Sequence, residues 1–143
     1  MSDATFKTMV KGTVRELHPM ALEESYSIGR EAILNALMHS GALHVEVEIT
    51  YDAQQFRLRI GDDGSGIDPA ILEKGGRKGH WGLAGMRERA GRIGGQVNLS
   101  SRPGNGTVVE LLVPAASAYK SGRFLARASW FRGRSVERVS DHD

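Results

Sequence analysis

The sequence predicts an α+β fold, a two-layer α/β sandwich in which helices cover one face of a mixed, mostly antiparallel sheet. Segments of helical periodicity are interleaved with segments in which polar and apolar residues alternate, in the order strand, helix, two strands, loop, helix, two strands. The chain has 143 residues, of which 40% are hydrophobic, so it is long enough for one buried core but short for two domains. We therefore expect a single α+β domain.

The first half of the chain predicts a strand, a long helix and a hairpin. Residues 5–11 alternate loosely, and Gly12 is placed to end that strand. Residues 20–40 have helical periodicity. One arc of this helix is apolar and is expected to face the core, and the other side is polar: the arc holds Leu22, Tyr26, Ile33, Ala36 and Leu37, and the polar side holds Glu24, Glu31 and Asn35. Residues 45–51 and 56–60 alternate again, which predicts two paired strands that each have one face in water.

The second half begins with a long loop. Residues 61–85 are rich in glycine and lack periodicity, and loops of this length inside a compact domain are usually functional or disordered. A short helix is predicted over residues 84–93. Residues 96–102 and 107–113 then predict two strands joined by a tight turn.

Charge and composition restrict the class of protein. Through Pro114 the chain has 13 Lys and Arg against 14 Asp and Glu, whereas residues 115–143 have 6 against 3. We therefore expect a domain over residues 1–114, followed by a basic tail that is mobile or peripheral and either contacts acidic partners or lipid or is simply solvated. Because the folded part is slightly acidic, we expect no nucleic-acid binding. The lack of cysteine excludes disulfides and thiolate metal sites, and no apolar run approaches the roughly 20 residues of a membrane helix.

Glu31 and Asn35 form the first candidate motif. They are one helical turn apart, so both side chains project from the same stripe of the long helix. A carboxylate beside a carboxamide oxygen suits a hard divalent ion that also holds phosphate oxygens, or a base next to a metal. On its own the pair is equally typical of a solvated helix face.

The second motif is the segment from Gly61 to Ile67, directly after an alternating strand. Asp62 stands where the chain leaves the sheet, and Gly64 and Gly66 allow close approach of the backbone by a flat ligand. A fixed carboxylate in an apolar slot can accept a hydrogen bond from an exocyclic amine such as that of adenine. A simple turn remains the alternative. A calcium loop is excluded, because Glu73 is out of register for its twelfth position.

Two further glycine motifs follow. Gly79, Gly82 and Gly85 recur at every third residue before the second helix, which frees main-chain N–H groups at a helix N-terminus for polyphosphate. Gly106 precedes Thr107, whose hydroxyl begins a strand after a tight turn. Taken singly, these are a flexible loop and an ordinary hairpin.

The four motifs together, in this order, resemble the ATP-binding (Bergerat, or GHKL) domain shared by sensor histidine kinases, type II topoisomerases, a heat-shock chaperone and mismatch-repair proteins. The segments REAILNALMHSGA, DDGSGID and GHWGLAGMRERAGRIGG are most similar to the catalytic domain of bacterial two-component histidine kinases with HisKA_3-type dimerisation domains. The resemblance covers residues 14–114. It implies ATP and Mg²⁺ as ligands and transfer of the γ-phosphoryl group to a histidine.

The resemblance also implies a role for each matching residue. Asn35 would coordinate Mg²⁺, Glu31 would position or activate the attacking group, and Asp62 would bind the adenine amine with Thr107 near the same edge. The remaining residues would line the base pocket (Gly64, Gly66 and Ile67) or form the hinge of a lid over the phosphates (Gly82, Leu83, Gly85 and Met86). Residues 68–81 would be the lid, whose closure would shield phosphoryl transfer from water.

Met38 is a departure from the family, since many relatives carry Arg or Lys there, and a cationic phosphate contact is thereby missing. Arg77 and Lys78 in the lid are candidates to supply the charge. His18 is rejected as the phosphoacceptor, because Pro19 follows it and only 12 residues separate it from Glu31.

We therefore expect an isolated, cytoplasmic catalytic domain, either free or part of a membrane-anchored receptor. Its partners would be a histidine-bearing dimerisation domain and, indirectly, a response regulator. The alternatives are an anti-sigma-factor serine kinase of the same fold, a catalytically silent nucleotide-binding module, and DNA binding through the tail, which would weaken steeply with salt.

Overall fold

The computed structural model describes residues 4–38, 40–66, 82–127 and 136–139. Within these ranges the elements are β1 (Ala4–Leu17), α1 (Pro19–Met38), β2 (His44–Tyr51), β3 (Gln55–Asp62), α2 (Leu83–Arg92), β4 (Gln96–Ser101), β5 (Thr107–Pro114), α3 (Ala115–Ala118), β6 (Tyr119–Arg127) and β7 (Val136–Val139). The predicted α+β class is confirmed, and each predicted strand and helix through residue 114 is present. No helix in the described ranges is long and apolar enough to cross a bilayer.

The strands form one mixed sheet in the order β4-β5-β3-β2-β1-β6, and β7 pairs with the first part of β1. The β1–β2 pair is parallel, and all other pairs are antiparallel. β1 is longer than predicted, because it continues through Gly12 and then pairs with β6. The β2–β3 hairpin is confirmed.

The two faces of the sheet differ in chemistry. Alternate residues of the central strands β3 and β5 are buried under the helices, namely Phe56, Leu58, Ile60, Val109, Leu111 and Val113. The opposite face carries an ion-pair ladder in which Lys11 and Arg57 bind Glu48 at 2.7 and 3.3 Å. The hydrogen bond from Lys11 lowers the pKa of Glu48 against the opposing effect of burial. The alternation of the strands therefore separates a dry face from a charged one.

The prediction of which side of α1 faces the core was right in part: Ala36 is buried and Ile33 and Leu37 pack against the core, but four other residues lie on the side opposite to the one expected. Leu22 and Tyr26 are 57% and 69% exposed, whereas Glu24 and Asn35 are 6% and 2% exposed. The buried side is built mainly from small residues, so the helix lies close to the sheet: Ala21, Ser25, Gly29, Ala32 and Ala36. Leu22 and Tyr26 instead border an open apolar groove of about 390 Å³ between α1 and strands β2 and β3. On the inner side Glu24 is paired with Arg89 and Arg92, which periodicity alone does not reveal.

The structure also differs from the predicted domain boundary after Pro114. Ala118 and Tyr119 are 0% and 5% exposed, and the carbonyl of Ala118 accepts a hydrogen bond from the His18 N–H at 2.8 Å. The backbone then continues into β6, which pairs with β1. The packed part of the chain therefore extends beyond residue 114, since these contacts join residues that are far apart in sequence. The tail aromatics and cations at residues 130–134 lie outside the described residues.

Candidate functional site

Asp62 ends β3 at the centre of the candidate site. It pairs with Val45 of β2 and with Thr107 of β5, and its Oδ1 accepts a hydrogen bond from the Gly64 N–H at 2.7 Å. Burial raises the pKa of Asp62, and the charge of Asp63 raises it further, against backbone hydrogen bonds from Gly64 and Thr107 that lower it. The result is a fixed, partly desolvated carboxyl group that is suited to accept a hydrogen bond from a ligand donor.

Thr107 lies at the same edge as Asp62 and is 2% exposed. The Ser101 hydroxyl donates to the Gly106 carbonyl at 3.1 Å, so the Thr107 hydroxyl is the donor in its 2.7 Å contact with Ser101 Oγ. The threonine side chain is therefore held by the β4–β5 hairpin, and its backbone supports Asp62. In the register of the sheet Thr107 is the partner of Asp62.

The glycines after Asp62 are packed against protein. A Cβ atom on Gly64 would lie 2.5 Å from Cβ of Ser40, and one on Gly66 would lie 1.9 Å from the Arg102 carbonyl oxygen. Gly66 also has a φ of 76°, which side chains rarely adopt. These glycines thus fix the loop against its neighbours, a reason different from the approach of a ligand that the sequence suggested.

Ser40 joins this loop to the end of α1. Its N–H donates to the Asn35 carbonyl at 3.1 Å, and its own carbonyl accepts a hydrogen bond from the Ser65 N–H at 2.9 Å. Two backbone hydrogen bonds therefore connect the helix that carries Asn35 with the loop that orients Asp62. Sequence reasoning missed Ser40, because its role lies in backbone atoms that carry no residue-type signal.

Glu31 lies one turn before Asn35 on α1 and faces the start of α2. A Cβ atom on Gly82 would lie 2.9 Å from Oε2 of Glu31, so the carboxylate packs directly against the backbone at this point. Gly82 is the N-cap of α2, and among the described residues no side chain caps this end of the helix, so the positive end of the helix dipole lies near Glu31. An acidic group and the positive end of a helix thus meet at one place.

A cleft of about 260 Å³ opens beside this contact and is lined by Ser27, Arg30, Glu31, Gly82, Gly85, Met86 and Arg89. Leu83 and Met86 are 3% and 1% exposed and pack into the core, whereas a Cβ atom on Gly85 would meet open space. Of the four predicted hinge residues, two therefore anchor α2, and Gly82 and Gly85 face the cleft.

Three charged residues connect α1 with α2: Glu24, which the sequence placed on the polar side of α1, and two arginines of α2 that the sequence did not single out. Oε1 of Glu24 accepts a hydrogen bond from Nη1 of Arg89 at 3.1 Å, and Oε2 accepts one from Nη1 of Arg92 at 3.4 Å. This buried carboxylate fixes the two helices that border the Glu31 cleft. The partners are more than 60 residues apart, so no local pattern signals the pairing.

Asp63 stabilises the loop from the other side. Its Oδ1 accepts hydrogen bonds from the N–H groups of Leu43 and His44 at 2.9 Å each, and its Oδ2 lies 2.6 Å from Nδ1 of His44. The start of β2 is thereby bound to the loop that follows Asp62.

Some predicted site residues lie outside the described residues. They are Ile67 and the lid at residues 68–81, which includes Arg77 and Lys78. Met38, the departure noted in the sequence, is 71% exposed at the end of α1.

The oxygen atoms of Glu31 and Asn35 suit a hard divalent cation but are too few to complete its coordination shell. In the described ranges no three His, Asp or Glu side chains group together as a metal site. Glu31 and Asn35 offer oxygen atoms from one stripe of α1, so phosphate and water oxygens would have to complete the coordination shell.

Comparison with known proteins gives the family. The family described as "Histidine kinase-, DNA gyrase B-, and HSP90-like ATPase" matches residues 23–117. The chain is 35% identical over 94 residues to an uncharacterized sensor-like histidine kinase of Chloroflexus aurantiacus and 38% identical over 94 residues to the sensor histidine kinase YdfH of Bacillus subtilis. It is 34% identical over 110 residues to the signal transduction histidine-protein kinase/phosphatase DegS of Brevibacillus brevis.

These matches cover 64%, 64% and 76% of this chain but only 16%, 22% and 27% of the respective relatives. The chain therefore spans about a quarter or less of their length. Among solved structures, the histidine kinase domain of the blue-light activated histidine kinase EL346 from Erythrobacter litoralis shares the fold with a TM-score of 0.61 at 21% identity. That likeness covers 78% of this chain and 52% of the solved one.

The matched range contains Glu31, Asn35, Asp62 and Thr107, on the elements that the structure brings together. The chain belongs to the histidine kinase-, DNA gyrase B- and HSP90-like ATPase family and is an ATP-binding domain of that family.

Proposed function

We propose that this chain is the catalytic domain of a cytoplasmic two-component sensor histidine kinase of the HisKA_3-associated subclass. It binds ATP with Mg²⁺ and donates the γ-phosphoryl group to a histidine on a separate dimerisation domain, from which a response regulator then receives it. The observation that supports this proposal is the series of hydrogen bonds that joins the loop of Asp62, through Ser40, to the helix of Asn35 and Glu31.

In this proposal Asp62 accepts a hydrogen bond from the exocyclic amine of adenine. The carboxyl group is held by the Gly64 N–H and partly desolvated, so it loses little freedom when the base binds. Guanine presents a carbonyl oxygen at the equivalent position, which an ionised carboxylate cannot bind. Asp62 therefore supports both affinity and the choice of base.

Glu31 is the proposed general base. Its carboxylate accepts the N–H proton of the incoming imidazole, and the other ring nitrogen attacks the γ-phosphorus. The nitrogen–phosphorus bond forms as the bond from the γ-phosphorus to the bridging oxygen breaks, and ADP leaves. Mg²⁺ held by Asn35 and phosphate oxygens would neutralise charge on the triphosphate. The N-terminus of α2 adds a fixed positive potential beside Glu31.

The first test is binding of ADP by calorimetry across a magnesium series. The parent is expected to bind ADP, and Asp62→Asn is expected to weaken binding at least about tenfold, because a donor on the base loses its charged acceptor. Asn35→Ala is expected to abolish the increase in ADP affinity that magnesium produces, and to leave the affinity without magnesium unchanged. Equal binding by Asp62→Asn and parent would overturn the assigned base pocket.

The second test follows radiolabel from the γ-phosphate of ATP to the histidine-bearing dimerisation domain, supplied in the full-length protein or in trans. The dimerisation domain is expected to acquire acid-labile label, and Glu31→Gln is expected to reduce the amount of label transferred. Acid-stable label would instead identify a serine kinase, and ADP binding without any transfer would identify a silent nucleotide-binding module.

A further inference from the structure

We propose that Arg89 is a phosphate-binding residue of this site, held toward the Glu31 cleft by Glu24, and that it takes the terminal phosphate of ATP. The inference rests on the proposed function and assigns to one side chain the cationic contact that Met38 does not provide.

Arg89 lies at the cleft that Glu31 borders. It lies on α2, two turns from Gly82, and its side chain lines the cleft that Glu31 and Gly82 also border. A triphosphate whose γ-phosphorus must come within reach of Glu31 places its terminal oxygens in this cleft. Since Glu31 is itself acidic, a phosphate there needs a cation close by to offset the repulsion.

A hydrogen bond to Glu24 orients the side chain of Arg89. Its Nη1 donates to Oε1 of Glu24 at 3.1 Å, and Glu24 is only 6% exposed. A guanidinium group has five N–H donors in a fixed fork, so a single bond to Glu24 leaves donors for a second acceptor. The buried carboxylate thus holds the arginine and leaves some of its N–H donors available. The Arg89 side chain is 45% exposed and lines the cleft.

Arg92 provides a matched comparison within the same cluster. It binds the other oxygen of Glu24 at 3.4 Å, it lies on the same helix, and its side chain is 49% exposed. It does not line the Glu31 cleft. Replacing either arginine removes one contact to Glu24, but only replacement of Arg89 removes a donor from the cleft.

The experiment measures binding of AMP, ADP and the β,γ-imido analogue of ATP to the parent, Arg89→Ala, Arg89→Lys and Arg92→Ala, with thermal unfolding recorded for each. Arg89→Ala is expected to bind the ATP analogue about tenfold to hundredfold more weakly while AMP affinity changes less than about threefold. Arg89→Lys is expected to recover part of the loss, because it keeps the charge but not the fork. Arg92→Ala is expected to keep the parent's ratio of affinities for the ATP analogue and AMP.

The outcomes separate this inference from the proposed function. An unchanged ratio of the two affinities in Arg89→Ala, or an equal loss in Arg92→Ala, would overturn the inference, because the effect would then arise through Glu24 alone. A parent that binds no adenine nucleotide would overturn the proposed function and the inference with it. If Arg89→Ala does not fold, Arg89→Lys is compared with Arg92→Ala: a partial loss of preference for the ATP analogue over AMP in Arg89→Lys, with none in Arg92→Ala, supports the inference, and an unchanged preference in Arg89→Lys overturns it.

Discussion

Asp62 and Asp63 are neighbours whose pKa values move in opposite directions. Burial raises the pKa of Asp62 above its usual value. Asp63 is also affected by burial, but hydrogen bonds from the His44 ring and from the N–H groups of His44 and Leu43 hold its pKa below the usual value. One carboxylate therefore costs the fold stability at neutral pH, and the other contributes to it.

For Asp62 the sign of the pH dependence follows directly. Because its pKa is higher in the folded chain than in the unfolded chain, the folded state binds the proton more tightly, and stability falls as the pH rises through these two values. Asp62→Asn removes that cost and keeps an acceptor for the Gly64 N–H. We expect the variant to melt at a higher temperature than the parent at pH 7, and the difference to shrink as the pH falls toward 4.

Thermal unfolding in the absence of nucleotide, recorded between pH 4 and pH 8, checks this expectation. Glu23→Gln is the control, since Glu23 is an exposed carboxylate on α1 and its removal should leave the profile unchanged. A variant of Asp62 that melts below the parent at pH 7 would show that the carboxylate stabilises the empty fold. A carboxylate that costs stability and is nevertheless present agrees with a ligand-binding role.

At the level of residues, the resemblance to the family predicts Thr107 near the same edge as Asp62, and the register between β3 and β5 pairs the two residues. The sequence could not predict Arg89, whose partner Glu24 is distant in the chain. Periodicity ranked Glu24 as an outward residue, because a carboxylate on a helix is usually solvated unless two cations reach it.

α1 and α2 meet through this charged cluster, and its contribution can be measured. Removing the charge of Glu24 leaves two guanidinium groups without their shared carboxylate, but both are nearly half exposed and can rehydrate. We expect Glu24→Gln to lower the free energy of unfolding by about 1–2 kcal/mol, less than for a fully buried pair. Urea unfolding with an unchanged slope is the measurement.

Glu88→Gln is the matched control for this element. Glu88 is one helical turn before Arg92, and its Oε2 lies 3.7 Å from Nη2 of Arg92. Because the Glu88 side chain is 71% exposed, the free energy of unfolding should fall by less than about 0.5 kcal/mol. If the two variants lose equal stability, the α1–α2 contact does not depend on Glu24. If Glu24→Gln also changes affinity for the ATP analogue more than for AMP, Arg89 needs its partner to reach the cleft.

Across the whole molecule, local patterns sufficed for the elements through residue 114 and failed for the chain beyond it. Alternation and turn residues identify strands one at a time, whereas β6 exists because it pairs with β1 more than 100 residues earlier. The net positive charge of the last segment suggested a solvated tail, although Ala118 and Tyr119 are part of the core. Long-range pairing is not encoded in composition.

Tyr119 is the residue through which this last segment joins the rest of the fold. Its hydroxyl accepts the Asp52 N–H at 3.1 Å and lies within donating distance of the carbonyl oxygens of Asp52 and Gln55, at 2.9 and 3.0 Å. The guanidinium of Arg15 lies 4.0 Å from the centre of its ring. One side chain thus connects the start of β6 with the β2–β3 turn and the end of β1.

Tyr119→Phe keeps the ring and the cation contact but removes the hydroxyl that donates to a carbonyl oxygen of the β2–β3 turn, while the Asp52 N–H keeps its hydrogen bond to the Gln55 carbonyl at 3.0 Å. We expect the free energy of unfolding to fall by about 0.5–1.5 kcal/mol in urea, because the net contribution of the hydroxyl's hydrogen bond is lost. Tyr26→Phe is the control, since Tyr26 is 69% exposed and should change stability by less than about 0.5 kcal/mol. Equal stability of the two variants would mean that the residues after Pro114 unfold independently of the sheet, whereas a single cooperative transition shifted only in Tyr119→Phe would make them part of the domain.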